Sequence, residues 1–311
     1  MRIRCALSIR WWRRMWCGCE PIRMRAHSPL YELIPTRERE WRFQESALMQ
    51  KATDRFDQIW EQYQGTNQLG RHLKRFLHDY PRHIDGLVHM SNHKLDIGQA
   101  LEAYGLAYAA VAVATSYFPK SFDNERDRLP GGFVQNRPFL RALNSLRLAQ
   151  DGLGDTRAAI QTAYQHMSFD VEDRMGVRMI LPLYLIQEGR DAAALEIFEK
   201  PSFADTFHTA EYLKVLVLIR LERSSEANKT LNRCLHYYPQ VARFILDPSI
   251  EQPESESRFG GLISGSALEG WFYGRQYAHL WHSSGKAIEL LKELSAPFAN
   301  SQWSRYQGMK D

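Results

Sequence analysis

The chain contains 311 residues, of which 44% are hydrophobic and 24% charged, the composition of a soluble globular protein. Its formal net charge is +4, but residues 1–25 contain seven arginines and one glutamate, so the remaining residues carry a net charge of −2. A body without excess positive charge lacks the main source of nucleic-acid affinity, and we therefore expect it to bind no nucleic acid.

The first 40 residues are predicted to form a basic, disordered N-terminal arm. Its composition resembles that of a targeting segment, but its apolar stretch Cys5–Ile9 is shorter than the ~7–15 residues of a secretory signal. Four interpretations stay open: a disordered tail, a membrane-surface arm, a transit-like peptide, or a segment upstream of a start codon at Met15 or Met24.

The four cysteines give no sign of a metal or disulfide framework. Cys5, Cys17 and Cys19 lie in the arm, while Cys234 lies alone in a predicted helix. The single residue between Cys17 and Cys19 suits zinc poorly, and no second pair follows. A disulfide framework is not expected in a long chain whose cysteines lie at one end. We therefore expect a reducing, cytoplasmic environment and no cofactor.

Residues 41–247 are predicted to form an all-α, right-handed α-solenoid of paired helices. A first helix is predicted over about residues 41–65 from its apolar periodicity. A second is predicted over residues 69–80 and ends before Pro81, because proline cannot donate the next helical hydrogen bond.

A glycine followed five residues later by an alanine recurs along the chain and indicates the type of repeat. The last three alanines are 35 and 33 residues apart, close to the ~34-residue period of the tetratricopeptide repeat, a pair of antiparallel helices. In such a repeat the glycine occupies the turn, where a positive φ is often required, and the alanine lies where the helices cross. The pairs are Gly98 with Ala103, Gly154 with Ala159, Gly189 with Ala194, and Glu222, in place of glycine, with Ala227.

The four repeats are predicted at about residues 84–119, 139–169, 175–201 and 207–239. Charge, proline and glycine are dense in Lys120–Pro138, which predicts an insertion that forms a loop on one face of the solenoid. Within repeat one, Ala103–Phe118 has no charged residue but is shorter than the ~20 apolar residues of a membrane span, so no span is expected.

The C-terminal part is predicted to close the solenoid. Residues 248–265 are polar and contain two prolines, which predicts a linker. A capping helix pair is predicted over residues 266–295, with Ser266 as the N-cap of its first helix. We expect such a cap because the last hydrophobic face of a repeat array must be covered.

Three short motifs resemble those of a narrower family. They are Asn136-Arg137-Pro138-Phe139 with Arg141-Ala142-Leu143, Gly176-Val177-Arg178, and Ser264-Gly265-Ser266. Together they resemble the tetratricopeptide family related to the suppression-of-tumorigenicity-seven proteins, many of whose members are bacterial, over roughly residues 80–295. The chain departs from that family in repeat three, which lacks the polar stretch usually preceding its glycine, and at Glu222. The resemblance implies a binding scaffold and supplies no catalytic residues.

The first helix of each repeat is predicted to line the concave groove of the solenoid. Counted from the turn residues, groove positions are polar in repeats one and two and mostly apolar in repeats three and four, as at Met179, Tyr212 and Leu216. Such a groove would suit an amphipathic peptide, or its apolar end would be covered by the C-terminal unit. The predicted partner-binding residues are Asp85, His89, Asn92, His93, Asp96, Arg141, Asn144 and Ser145.

The leading prediction is a non-catalytic scaffold that binds a protein or peptide partner in this groove. The chain has no phosphate-binding loop, dinucleotide-binding glycine pattern, nucleophile elbow or HExxH motif, so no enzyme activity is expected. The alternative is a metal sensor or metal-dependent hydrolase. It rests on spacings of four, four and three residues, which place two carboxylates and two imidazoles on one helix face. The residues in question are Asp85, His89, His93 and Asp96.

Overall fold

The computed structural model describes residues 29–200, 208–255 and 262–299. The arginine-rich segment and its three cysteines therefore lie outside the described residues, as does the middle of the predicted linker. The described part consists of an antiparallel hairpin followed by thirteen α-helices.

The hairpin is the main departure from the predicted fold. Strands β1 (Tyr31–Arg37) and β2 (Glu40–Glu45) pair antiparallel, and Arg39 lies in the turn between them with a φ of 62°. Residues 31–40 of the predicted disordered arm thus belong to the hairpin, and the first helix begins only at Ala47.

The helical interpretation of Trp41 and Phe43 is wrong because their spacing of two residues is that of one face of a strand. Phe43 is buried, with its ring 6.0 Å from that of Phe139 and 6.2 Å from that of Phe118. The period-two pattern is short, and the side chains that cover it come from distant parts of the chain.

Most of the described helices form antiparallel pairs, with one pair preceding repeat one. Short 3₁₀ turns precede the first helices of repeats two and three, at Val134–Asn136 and Val177–Met179. The helices are α1 (Ala47–Tyr63), α2 (Leu69–Asp79), α3 (Ile84–Asp96), α4 (Ala100–Thr115), α5 (Arg137–Gly152), α6 (Thr156–Phe169), α7 (Leu181–Gln187), α8 (Asp191–Phe198), α9 (His208–Arg220), α10 (Ser224–Tyr237), α11 (Pro239–Leu246), α12 (Ala267–His282) and α13 (Gly285–Ala299).

The turns inside the four repeats share one backbone geometry. Gly98, Gly154 and Gly189 have φ values of 75°, 75° and 69°, and Glu222 has a φ of 59°. In each turn this residue donates to the carbonyl three positions earlier, and the next residue donates to the carbonyl five positions earlier. This conformation costs a residue with a Cβ about 1–2 kcal/mol, so Glu222 forms the same turn less favourably than glycine would.

The alanine that follows each turn is completely buried. Ala103, Ala159, Ala194 and Ala227 each lie in the first turn of a second helix, and each amide donates to the carbonyl four residues earlier. Interiors at such helix crossings are close-packed, so a longer side chain would have to displace a neighbouring helix or adopt a strained rotamer.

Helix α4 contains the uncharged stretch of repeat one. Its buried residues are alanines spaced by three and four positions, so the helix packs against its neighbours through one face of small side chains. No helix in the described ranges combines the length and the apolar composition that crossing a membrane requires.

The C-terminal unit contains a helix, α11, that the sequence pattern does not predict. Pro239 was expected only to mark the end of repeat four, but it is the first residue of α11, because proline is well tolerated in the first turn of a helix. Helix α11 crosses α12 at two glycines. A Cβ on Gly270 would lie 2.9 Å from the carbonyl carbon of Gln240, and one on Gly274 would lie 2.6 Å from the carbonyl oxygen of Phe244.

Buried apolar side chains form two clusters. The N-terminal core joins the hairpin to helices α1 to α5 and to Phe169 at the end of α6, and it includes Phe76 and Phe139. The C-terminal core joins helices α6 to α13 and includes Tyr212 and Trp281. The predicted fold class, an α-solenoid of tetratricopeptide-like helix pairs, is confirmed, and the hairpin is an addition to it.

Candidate interaction surface

The first helices of successive pairs lie side by side, and the predicted groove residues meet between them. Arg141 on α5 donates two hydrogen bonds to the carboxylate of Asp85 on α3, at 2.9 and 2.5 Å. Two-point pairing of this kind is among the stronger polar contacts in proteins and fixes orientation as well as distance. Both side chains remain partly exposed, so the pair ties α3 to α5 at the surface.

Further lateral bonds extend this pattern. Ser145 Oγ on α5 donates to Asn92 Oδ1 on α3 at 2.7 Å. Asn144 Oδ1 accepts from Arg147 Nη2 at 2.8 Å, and Arg147 Nη1 donates to the hydroxyl of Tyr184 on α7 at 2.5 Å. Five of the eight predicted groove residues therefore make hydrogen bonds inside the chain, most of them between neighbouring first helices.

The two predicted histidines lie against the preceding helix pair. The ring centroid of His89 is 4.2 Å from that of Trp60 and 5.1 Å from that of Phe56, both on α1. Burial lowers the pKa of His89, which favours the neutral imidazole. His93 packs on α2, where a Cβ on Gly70 would lie 2.2 Å from its Nε2 atom.

The arrangement does not support the metal-binding alternative. Both carboxylate oxygens of Asp85 accept hydrogen bonds from Arg141, and the His89 ring packs against aromatic side chains. Asp96 is exposed at the end of α3. No group of three histidine, cysteine, aspartate or glutamate side chains able to hold a metal ion occurs among the described residues.

Helix α1 adds acidic residues that were not among the predicted site residues. Asp54, Asp57 and Glu61 are exposed and spaced by three and four positions, so they share one face of the helix. Burial raises the pKa of the Asp57 carboxyl, and the charges of Asp85, Glu61 and Asp54 act in the same direction. The charge of Arg141 opposes them. The face formed by α1 and α3 is therefore acidic, and the i, i+3, i+7 spacing on α1 was the signal that could have revealed it.

A hydroxyl, an imidazole and a carboxylate meet where the hairpin joins α1 and α3. His83 Nδ1 accepts from the backbone N–H of Gly86 at 3.0 Å, so in the neutral ring the proton lies on Nε2. That N–H points to Thr53 Oγ1 at 3.1 Å, and Thr53 in turn donates to Glu45 at 3.1 Å. Burial lowers the pKa of His83 to about 4. This imidazole cannot accept the threonine proton, so the group caps α3 and does not activate a nucleophile.

The apolar end of the row of first helices is covered by the C-terminal unit. Tyr212 on α9 is fully buried, with its ring 5.6 Å from that of Tyr273 and 6.1 Å from that of Trp281. Leu213 and Leu216 are buried in the same core. The sequence left two possibilities for this end, a bound peptide or cover by the C-terminal unit. The structure shows cover by the C-terminal unit.

The insertion between repeats one and two is fixed on the hairpin. Asn136 is fully buried, accepts from the backbone N–H of Phe43 at 3.0 Å and donates to the carbonyls of Trp41 and Pro130 at 3.0 and 3.1 Å. The indole of Trp41 donates to buried Asp127 at 2.9 Å. No local sequence signal points to these contacts, because the partners are about 90 residues apart along the chain.

Paired helices with a repeated positive-φ turn, joined laterally through their first helices, define a tetratricopeptide-like repeat protein. The chain belongs to the Tcf25 family, described as "Transcriptional repressor TCF25", which matches residues 41–294. This assignment replaces the resemblance to relatives of the suppression-of-tumorigenicity-seven proteins, which the comparisons do not show. No curated protein matches the sequence.

The solved structures that are similar to the chain at low sequence identity include the following two. The crystal structure of the MamA protein has 17% identity and a TM-score of 0.44, covering 66% of this chain and 94% of its own. A putative kinesin light chain from Podosopora anserina, with nearly identical TPR-like repeats, has 16% identity and a TM-score of 0.40, covering 71% of this chain and 98% of its own.

Proposed function

We propose that this chain is a non-catalytic scaffold that binds a protein or peptide partner on the polar surface of α1, α3 and α5. The observation that carries the proposal is the contrast between the two ends of the row of first helices. Asp57, Asp85 and Arg141 remain at least partly in solvent, whereas Tyr212 is enclosed by the C-terminal unit. The surface left for a partner is therefore the polar one.

The lateral bonds between first helices support a scaffold in a second way. Because Asp85 and Arg141 hold each other, their exposed edges are preorganised and lose little side-chain entropy when a partner binds. The same bonds make these two residues poor choices for mutation, since removing one partner leaves the other charge unpaired. The exposed carboxylates on α1 are better positions for substitution.

The family description suggests where such a scaffold would act. Repression can be exerted by contacting DNA or by recruiting other proteins. The residues after position 25 carry a net charge of −2, which gives no general attraction to phosphates. We therefore propose that the chain takes part in transcriptional control by binding proteins. Salt-dependent binding of duplex DNA by the full chain would instead favour direct contact.

A charge reversal on α1 tests the proposed surface. The full chain, immobilised at one end, is used to capture partners from an extract, and captured proteins are quantified by mass spectrometry. We expect the double variant Asp57→Arg, Glu61→Arg to lose at least ~10-fold of a partner that the wild type retains, because a charged contact becomes repulsive.

The control variant reverses the same number of charges elsewhere. Glu196 on α8 and Glu293 on α13 are exposed, and neither lies on α1, α3 or α5. The variant Glu196→Arg, Glu293→Arg should retain the partner, and both variants should melt like the wild type. Equal retention by the α1 variant would place binding on another surface, and turnover in an activity screen would overturn the non-catalytic assignment.

A further inference from the structure

The two hydrophobic cores meet inside repeat two. Helix α5 contributes Phe139 and Leu143 to the N-terminal core, whereas α6 contributes Ala159 and Ala163 to the C-terminal core. In repeats one, three and four, both helices of the repeat contribute to the same core. Repeat two is therefore the unit in which apolar packing changes from one cluster to the other.

Buried polar side chains occupy this repeat, and we call Arg147, Gln150, Thr162 and His166 the polar seam. Each has no more than 9% of its surface exposed. Thr162 Oγ1 on α6 donates to Gln150 Oε1 on α5 at 2.8 Å. Arg147 bonds to Asn144 on its own helix and to Tyr184 on α7. The bond from Thr162 to Gln150 joins α5 to α6 inside the repeat, and the bond from Arg147 to Tyr184 joins α5 to α7.

The seam is also incompletely satisfied. Among the residues that the structure describes, neither ring nitrogen of His166 has a hydrogen-bond partner, and neither does Nε of Arg147. Burial lowers the pKa of His166 to about 4, so the ring is neutral near pH 7. Closing the seam removes these groups from water without replacing their hydrogen bonds, which weakens this junction relative to an apolar one.

The positions equivalent to Arg147 and His166 hold small or apolar residues in repeats one and four. Seven residues before the turn residue, Arg147 corresponds to Ser91 in repeat one and Val215 in repeat four. Twelve residues after it, His166 corresponds to Ala110 and Cys234. The buried arginine and histidine are therefore particular to repeat two, whereas the Thr162 position holds another threonine, Thr230, in repeat four.

We propose that the solenoid is built from two separately cooperative units that open at the polar seam, between α5 and α6. The end of α6 acts as the pivot. Phe169 packs in the N-terminal core and its carbonyl accepts from the amide of Leu129 at 2.8 Å, while the next residue, Asp170, accepts from the amide of Gly131 at 2.9 Å. Opening therefore separates the body of α6 from α5 while this end stays attached. The inference does not depend on the proposed function.

Native-state hydrogen exchange of the full chain at increasing urea concentration tests it. Peptides from α3 to α5 report on one unit and peptides from α7 to α11 on the other. We expect the two groups to lose protection at different urea concentrations, each group as a block. Loss of protection at one common concentration throughout would overturn the proposal, since a single cooperative unit behaves in that way.

A seam variant sharpens the test. The variant Arg147→Val, Gln150→Leu, His166→Ala introduces residues found at the same positions of other repeats, and it should bring the two urea midpoints together. The control Gln161→Leu adds an apolar residue at an exposed position of α6 and should leave their separation unchanged. A separation that persists in a folded seam variant would show that the units do not divide there. If that variant does not fold, the wild-type measurement still decides between one unit and two.

Discussion

Gly274 lies where α12 crosses α11, and a Cβ on it would lie 2.6 Å from the carbonyl oxygen of Phe244. The change Gly274→Ala must push the two helix backbones apart, so we expect a loss of about 1–3 kcal/mol in the free energy of unfolding. Gly105 is also within a helix, but a Cβ there meets nothing within 4 Å. The change Gly105→Ala should stabilise the chain by roughly 0.5–1 kcal/mol, because alanine loses less backbone entropy than glycine.

Urea denaturation of the two alanine variants measures both effects. Opposite signs support the close crossing of α11 and α12. A Gly274→Ala variant as stable as the wild type would show that these helices do not approach as closely as described.

Individual groove residues show what repeat register can and cannot predict. The register brings Asp85, Asn92, Arg141 and Ser145 to adjacent positions of neighbouring first helices, and the structure has them there. It does not predict that they bond to one another, because that depends on the offset between two helices and on rotamers. It also passes over Asp57, since α1 precedes the first repeat that carries the glycine and alanine signal. Partner binding by these residues stays a prediction.

Secondary-structure elements were predictable where their signals are local. The turns at Gly98, Gly154 and Gly189 follow from a glycine at a fixed distance from a buried alanine, and the N-cap at Ser266 follows from one residue type beside a helix. The hairpin lacked such a signal. Its strands are held by Asn136 and the rest of the insertion, so the information that specifies it is spread over about 90 residues.

The turn-packing alanines allow a test at the scale of one helix. Ala159 is fully buried at the start of α6, and Ala158, one position earlier, is only partly buried. The change Ala159→Leu should overpack the crossing and lower the free energy of unfolding by about 1–3 kcal/mol. Ala158→Leu should be much milder, because its side chain is turned by about 100° around the helix.

Chemical denaturation of the two leucine variants compares them directly. The same comparison applies to Ala194, which occupies the equivalent position in α8. Equal losses for Ala158→Leu and Ala159→Leu would mean that the repeat register assigned to α6 is wrong.

At the scale of the whole molecule, the hydrophobic faces at the two ends of the solenoid are covered in different ways. The N-terminal end is closed by the hairpin, whose residues Trp41 and Phe43 donate hydrogen bonds to buried Asp127 and Asn136 of the insertion. The C-terminal end is closed by apolar side chains of α12 and α13 packed on α9 and α10. Both solutions cover a hydrophobic face that a repeat array cannot cover with a further repeat. Within the described ranges, no comparable cover lies over the polar first helices between them.

Removing the C-terminal unit tests its role as a cover rather than a movable lid. A chain ending at Tyr238 keeps α9 and α10 but removes Tyr273 and Trp281, whose rings pack on fully buried Tyr212. Full burial of a large apolar side chain contributes about 1.5–3 kcal/mol, a sizeable share of the ~5–15 kcal/mol that holds a typical domain folded. We expect repeats three and four to lose exchange protection and to bind a hydrophobic dye, while the N-terminal core stays protected because its contacts are untouched. A truncated chain whose repeats three and four stay protected and bind no dye would show that the apolar end is stable when open, and hence available to a partner.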